Sequence, residues 1–146
     1  MPASVPGTYA QYDFGRFVKN FQAFDKKGNP LEVTRVNANE FAISTSEKLA
    51  KIEYWAIDTF DDLTDSLEVF NPVGTNFQKD TNFMLNYPGL IGYFNGYKAL
   101  PYEVKILKPA AMYGATAIKK KVISAGEDIM YAKNYDELVD NPAMYS

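Results

Sequence analysis

Apolar and polar residues alternate along this chain in short runs separated by Gly, Pro and Asn, which is the pattern of strands that turn one face toward a core. In Leu31-Glu-Val-Thr-Arg-Val36, Leu31, Val33 and Arg35 share one face and Glu32, Thr34 and Val36 the other. With Asn20 to Asp25 before it, this run predicts a hairpin. Its turn is Lys26-Lys-Gly-Asn-Pro30, where Gly28 and Asn29 accept positive φ and Pro30 ends the pairing. Phe41 and Ile43 alternate with small or polar neighbours in a half-buried strand over residues 40–45. Between Leu49 and Asp58, Ile52, Tyr54 and Ala56 face one way and Glu53, Trp55 and Ile57 the other, so apolar groups on both sides predict an interior strand. Tyr102, Val104 and Ile106 oppose Glu103, Lys105 and Leu107 in a strand closed by Pro109, and Asp128 to Lys133 reads as a last strand.

Three stretches have helical spacing. Phe14, Phe17, Phe21 and Phe24 fit a period near 3.6, but Gly15 weakens a helix interior by roughly 1 kcal/mol, so one helical turn over Tyr12 to Phe17 should pass into a strand. Phe60, Leu63, Leu67 and Phe70 behind Thr59 predict a short helix or a long acidic loop. Tyr135 to Asp140 is a single helical turn, capped by Asn134 and stopped before Pro142. From Asn71 to Gly96 the chain is rich in Asn, Gly and aromatics, and Asn95-Gly96 signals a type I′ turn that would pair Ile91 and Tyr93 with Tyr97. Short strands with turn signals about every ten residues predict a mostly β fold, an antiparallel β-sandwich with one or two short helical segments. The sandwich is placed in residues 1–109, and residues 110–146 are expected as a C-terminal extension.

Composition narrows the function. A chain of 146 residues suits one domain, and no run approaches the ~18 apolar residues of a spanning helix. The net charge of −3 and pI near 5.0 give no electrostatic footprint for nucleic acid, so Lys119, Lys120 and Lys121 read as a solvated loop or strand end. No partner of nucleic acid or membrane type is expected. The chain has no His and no Cys, which removes imidazole and thiolate zinc sites, Ser-His-Asp and Cys-His nucleophile systems and any disulfide framework. Asp61, Asp62, Asp65 and Glu68 suggest a calcium loop or a pair of catalytic carboxylates, but alternating oxygen ligands and a central Gly are missing, and they read as a solvated face. The start, Met-Pro-Ala-Ser-Val-Pro, has neither the basic nor the apolar part of a signal peptide.

Several segments share their order and spacing with a known family. They are Met1-Pro-x-x-x-Pro-Gly-x-Tyr9, Phe17-x-x-x-Phe21-x-Ala23 with Asp25 and Gly28, the Tyr54 strand, Phe83-x-x-Asn86 and Gly92-Tyr93. To these are added Pro101-x-x-Val104-x-Ile106-x-x-Pro109 with Thr116-Ala117, and Tyr135-Asp-Glu-Leu-Val-Asp140-x-Pro142. Together they resemble the N-terminal region of the glycyl aminopeptidase family of zinc metallopeptidases over almost the whole chain. Ser4 departs from the aromatic that the family commonly has there.

The resemblance implies a non-catalytic β-sandwich ahead of a thermolysin-like catalytic domain. Zinc is then expected in that absent domain, on a His-Glu-x-x-His helix, and no cofactor in this chain. It also implies one or two strands before Met1, a sheet edge left open to self-association, and a passage into the catalytic domain at Leu138-Val139-Asp140. The compartment stays open, leaning toward an exported or periplasmic setting. The expected partner is the catalytic domain of the same parent protein. Asn82, Phe83, Asn86, Tyr93, Phe94 and Tyr97 are the candidate interdomain or substrate-facing residues, because the aromatics between 82 and 97 exceed what one hairpin can bury. Asn82 and Asn86 offer carboxamide oxygens to a substrate amine. The rival reading is a carbohydrate-binding module with Tyr87, Tyr93, Phe94 and Tyr97 as a stacking platform.

Overall fold

The computed structural model describes residues 1–61 and 68–146, so half of the helix or acidic loop expected over residues 59–70, with Asp62 and Asp65, lies outside the described residues. A 3₁₀ turn over Phe14–Phe17 buries both rings and leads straight into β1 (Val18–Asp25), as the competing periodicities and Gly15 predict. The Asp25 carboxylate organises the turn that follows. It accepts hydrogen bonds from the Lys27 and Asn29 backbone N–H groups at 2.8 and 2.9 Å and from Asn29 Nδ2 at 2.9 Å, while Gly28 takes φ 83°. These bonds, the one from the Asn29 side chain foremost, hold its carboxyl below the ordinary aspartate value. The hairpin is completed by β2 (Pro30–Leu31).

The single strand expected over residues 31–36 is broken at Glu32. Its carbonyl accepts from the Ser44 backbone N–H at 3.0 Å and from Ser44 Oγ at 3.2 Å, and the chain changes partners there. β2 stays on β1, whereas β3 (Val33–Arg35) pairs with β4 (Phe41–Ile43) in a separate ribbon. β5 (Leu49–Ala56) is not the interior strand its apolar sides suggest. The sheet order is β2-β1-β5, which puts β5 at an edge and leaves Trp55 70% exposed. The register of β1 on β5 shifts between Lys19 and Gln22, where Asn20 at φ 53° forms a bulge.

The larger core lies between two further antiparallel sheets. One has the order β6-β7-β12-β9, from β6 (Asn76–Gln78), β7 (Asn82–Leu85), β9 (Gly114–Thr116) and β12 (Ala143–Tyr145). The other has the order β10-β11-β8, from β8 (Tyr102–Leu107), β10 (Lys119–Ser124) and β11 (Glu127–Ala132). Leu85, Ala143 and Tyr145 of the first meet Val104, Met130 and Ala132 of the second, and Leu138 of the short helix α1 (Tyr135–Val139) closes the cluster. This is an antiparallel, mostly β architecture with one short α-helix among the described residues. Residues after 109 are woven into it, since β8 pairs with β11 and β12 lies between β7 and β9. Of the two settings expected for Lys119 to Lys121, loop or strand end, the structure shows the second, since they open edge strand β10. The cap of α1 is the one expected, with Asn134 Oδ1 accepting from the Glu137 N–H at 2.8 Å.

A buried polar seam joins these parts. Asp58 accepts from the Phe60 N–H at 2.8 Å and the Phe77 N–H at 2.6 Å, Thr59 Oγ1 donates to the Thr75 carbonyl at 2.9 Å, and Thr75 Oγ1 donates to the Asn86 carbonyl at 2.9 Å. Near the first aromatic turn, the Gly15 N–H donates to Asn39 Oδ1 at 3.0 Å and its carbonyl accepts from Arg35 Nη2 at 2.8 Å. A Cβ on Gly15 would overlap the Ala38 carbonyl oxygen and Asn39 Cα, both backbone atoms that cannot rotate away. Gly15→Ala should therefore destabilise the fold by about 2 kcal/mol. For a chain of this length that is a drop in Tm of about 4–8 °C, measured by thermal unfolding.

Candidate functional site

The segment after β7 turns back over the first sheet and is held by tyrosines. Three consecutive carbonyls each accept from a different hydroxyl: Leu90 from Tyr54 on β5, Ile91 from Tyr135 on α1 at 2.8 Å, and Gly92 from Tyr102 on β8 at 3.3 Å. The Tyr93 ring lies tilted against Tyr135 with centroids 4.8 Å apart, and Lys98 Nζ stands 4.5 Å over Tyr93. The hairpin expected around Asn95-Gly96 does not form. The Tyr97 N–H closes a turn on the Phe94 carbonyl at 2.9 Å, but only Gly96 takes positive φ, where a type I′ turn needs it at both central residues. Two of the carbonyls just ahead of the turn, those of Ile91 and Gly92, are already engaged by tyrosines.

Between this loop and the sheet lies a groove of about 540 Å³. Its floor is aromatic, with Phe21 stacked nearly parallel on Phe41 at 4.2 Å and on Tyr54 at 5.7 Å. Ile43 and Ile52 extend the floor, and Tyr93, Phe94 and Tyr97 line the opposite side. Phe94 and Tyr97 are each more than half exposed. The polar edge includes Asn39, Glu40 and Asn95, with Asn95 Nδ2 donating to Glu40 Oε1 at 3.3 Å. Such a surface suits an apolar or aromatic group.

The six candidate residues are thus not one surface. Tyr93, Phe94 and Tyr97 meet at the groove, while Asn82 and Phe83 belong to β7, away from it. Asn82 Nδ2 donates to Gln78 Oε1 at 3.0 Å, and Phe83 lies edge-on to Phe77 at 6.3 Å. Asn86 is buried, and its Nδ2 donates to the Gly74 carbonyl. Tyr87 is buried as well, with its hydroxyl 2.9 Å from Met130 Sδ, so a four-ring platform loses one ring. Phe21, Phe41 and Tyr54 escaped the sequence reading because they come from three different strands, and no spacing along the chain announces their stack.

No group of three His, Cys, Asp or Glu residues among the described residues could hold a metal ion. A family model described as the Peptidase M61 N-terminal domain matches residues 1–146. The chain belongs to the peptidase M61 family, as its N-terminal domain. The resemblance seen in the Pro-Gly-x-Tyr and Leu-Val-Asp-x-Pro segments is borne out at this level. The M61 domain is also similar in structure to an aminopeptidase N family protein from Idiomarina loihiensis, with a TM-score of 0.81 and 22% identity. That match covers 100% of this chain and 24% of the other, so the domain spans about a quarter of that protein's length. No curated protein matches the sequence.

Burial raises the hydroxyl pKa of Tyr54, Tyr102 and Tyr135 above the ordinary 10 and pushes Tyr87 up to about 12. The folded state thus favours the neutral hydroxyls. Their contribution is fully present below pH 10 and is lost as pH rises from there through the raised folded values. Unfolding followed against pH should accordingly show a fall in stability above pH 10. Tyr54→Phe should cost about 1 kcal/mol and speed amide exchange across residues 91–97, because the Leu90 carbonyl loses its donor.

Proposed function

We propose that this chain is the non-catalytic N-terminal domain of an aminopeptidase-like zinc metallopeptidase, that it packs on the catalytic domain, and that its groove helps to shape the entrance to the cleft. The observation that carries this is the match of all 146 residues to a domain defined by its place ahead of a peptidase. The chemistry agrees with that place. Zinc in such enzymes needs imidazole or thiolate ligands, this chain has neither residue, and its carboxylates do not gather into a ligand set among the described residues. The metal does not fit here and belongs to the other domain.

Support for a role at the cleft comes from the rigidity of the groove. Phe94 and Tyr97 are exposed rings on a segment whose entry is fixed by three tyrosine hydroxyls. Exposed rings on a fixed frame contribute apolar contact to a peptide or neighbouring domain without a large ordering cost. Each would add on the order of 2 kcal/mol when fully covered.

The isolated chain should turn over no alanyl or glycyl chromogenic peptide, with or without added zinc. In the full-length peptidase, Tyr97→Ala should raise KM for short peptides about tenfold, the equivalent of roughly 1.4 kcal/mol of lost contact, while zinc content stays unchanged. Unaltered kinetics together with new or retained oligosaccharide binding by the groove would replace this reading with the carbohydrate one.

A further inference from the structure

The two sheets of the larger core present very different outer faces. On β10-β11-β8 the outward positions are Glu103, Lys105, Lys119, Lys121 and Glu127 beside Leu107, Ile129 and Tyr131, with Lys105 Nζ 3.0 Å from Glu127 and Lys119 Nζ over the Tyr131 ring. Charged side chains are spread among the apolar ones across that whole face. On β6-β7-β12-β9 the register places Ala115, Met144, Met84 and Asn76 in one row across all four strands. Ala143 and Tyr145, the neighbours of Met144 along β12, are buried, so the row points away from the core. Gln78 and Asn82 lie opposite each other on the same side. None of these six outward residues is charged.

An antiparallel sheet with one solvated face ordinarily carries charged and polar groups there. Depletion of charge together with methionine is instead the composition of an interface centre, where the flexible thioether fills irregular gaps. Met144, 43% exposed, stands in the middle of the row. Its strand, β12, is interior to the sheet and is followed by Ser146, so chain continuing beyond Ser146 leaves from within this sheet. The similar Idiomarina protein is about four times as long as this domain, and most of it lies outside the matched part.

We propose that the uncharged outer face of β6-β7-β12-β9, centred on Met84 and Met144, is the surface on which the following catalytic domain docks. The inference rests on the proposed function and adds which face makes the contact. The groove, which is built from the first sheet, the β3-β4 ribbon and the 90–101 loop, then remains free for the cleft. The carboxamides of Asn76, Gln78 and Asn82 give the contact hydrogen-bonding groups that need no charge to be desolvated.

Methionine oxidation reads this directly, because the thioether is its own probe. The 1–146 chain and the full-length peptidase are treated with dilute peroxide and with an amine-reactive label, and modification is followed residue by residue. Oxidation of Met144 should slow about tenfold or more in the full-length protein, while Lys105 and Lys121 on the opposite sheet keep their labelling rates. Equal oxidation of Met144 in both proteins overturns the proposal. In that event, protection of other surface residues in the full-length protein means that the domains dock by another face, and the proposed function stands. Protection nowhere removes both. If Met144 is instead shielded in the 1–146 chain as its concentration rises, and not in the full-length protein, the face pairs two copies of this chain and the proposal fails.

Discussion

The capture of three successive carbonyls, Leu90, Ile91 and Gly92, by the hydroxyls of Tyr54, Tyr135 and Tyr102 is the constraint on which the rest of this domain depends. The three donors come from the first sheet, the short helix and the second core sheet. Elements far apart in sequence are thereby joined through one segment of backbone. A segment without regular structure that passes between packed elements has carbonyls that neither a helix nor a ladder satisfies, and leaving each unpaired would cost about 1–3 kcal/mol. The tyrosines remove that cost with rings that also fill space, since Tyr93 and Tyr102 both pack on Tyr135.

The same logic governs the interior of the core. Asp128 on β11 is 1% exposed, accepts from the Tyr145 hydroxyl at 3.1 Å and has Lys120 Nζ 3.8 Å from the same oxygen, while its other oxygen lacks a hydrogen-bond partner. Lys120 also donates to the Gly114 carbonyl, so one ammonium ties β10 to the facing strand β9. The Tyr145 ring needs Gly114 to be a glycine, because a Cβ there would overlap it. An ion contact of this kind adds little net stability when both charges must leave water. Its geometry links β10, β11 and β9 across the core.

What the sequence disclosed follows from the range of the interactions involved. The Asp25 turn, the Asn134 cap and the alternation in β8 are local, and each was legible because the residue that makes the structure lies within a few positions of the residue it organises. β5 lies at an edge despite its pattern, because apolar groups on both sides of a strand do not reveal whether a neighbour exists, and Trp55 stays in solvent. The false hairpin at Asn95-Gly96 had the right dipeptide and the wrong surroundings, since Tyr54, Tyr102 and Tyr135 engage the backbone just ahead of it. The groove was half legible. Tyr93, Phe94 and Tyr97 stood out as an excess of rings in one segment, but the Phe21–Phe41–Tyr54 floor depends on three strands whose pairing no spacing encodes.

The preference for tyrosine in this chain has a mechanical reason. Eleven Tyr against one Trp, with no His or Cys, leave tyrosine as the main side chain that can both fill a core and supply a hydrogen bond at its tip. A phenylalanine in place of Tyr54 or Tyr135 would keep the packing and abandon a carbonyl, and a shorter hydroxyl would reach the carbonyl only by leaving a void. Buried hydroxyls with raised pKa values also stay neutral donors throughout the physiological range, so these attachments do not loosen with ordinary changes of pH.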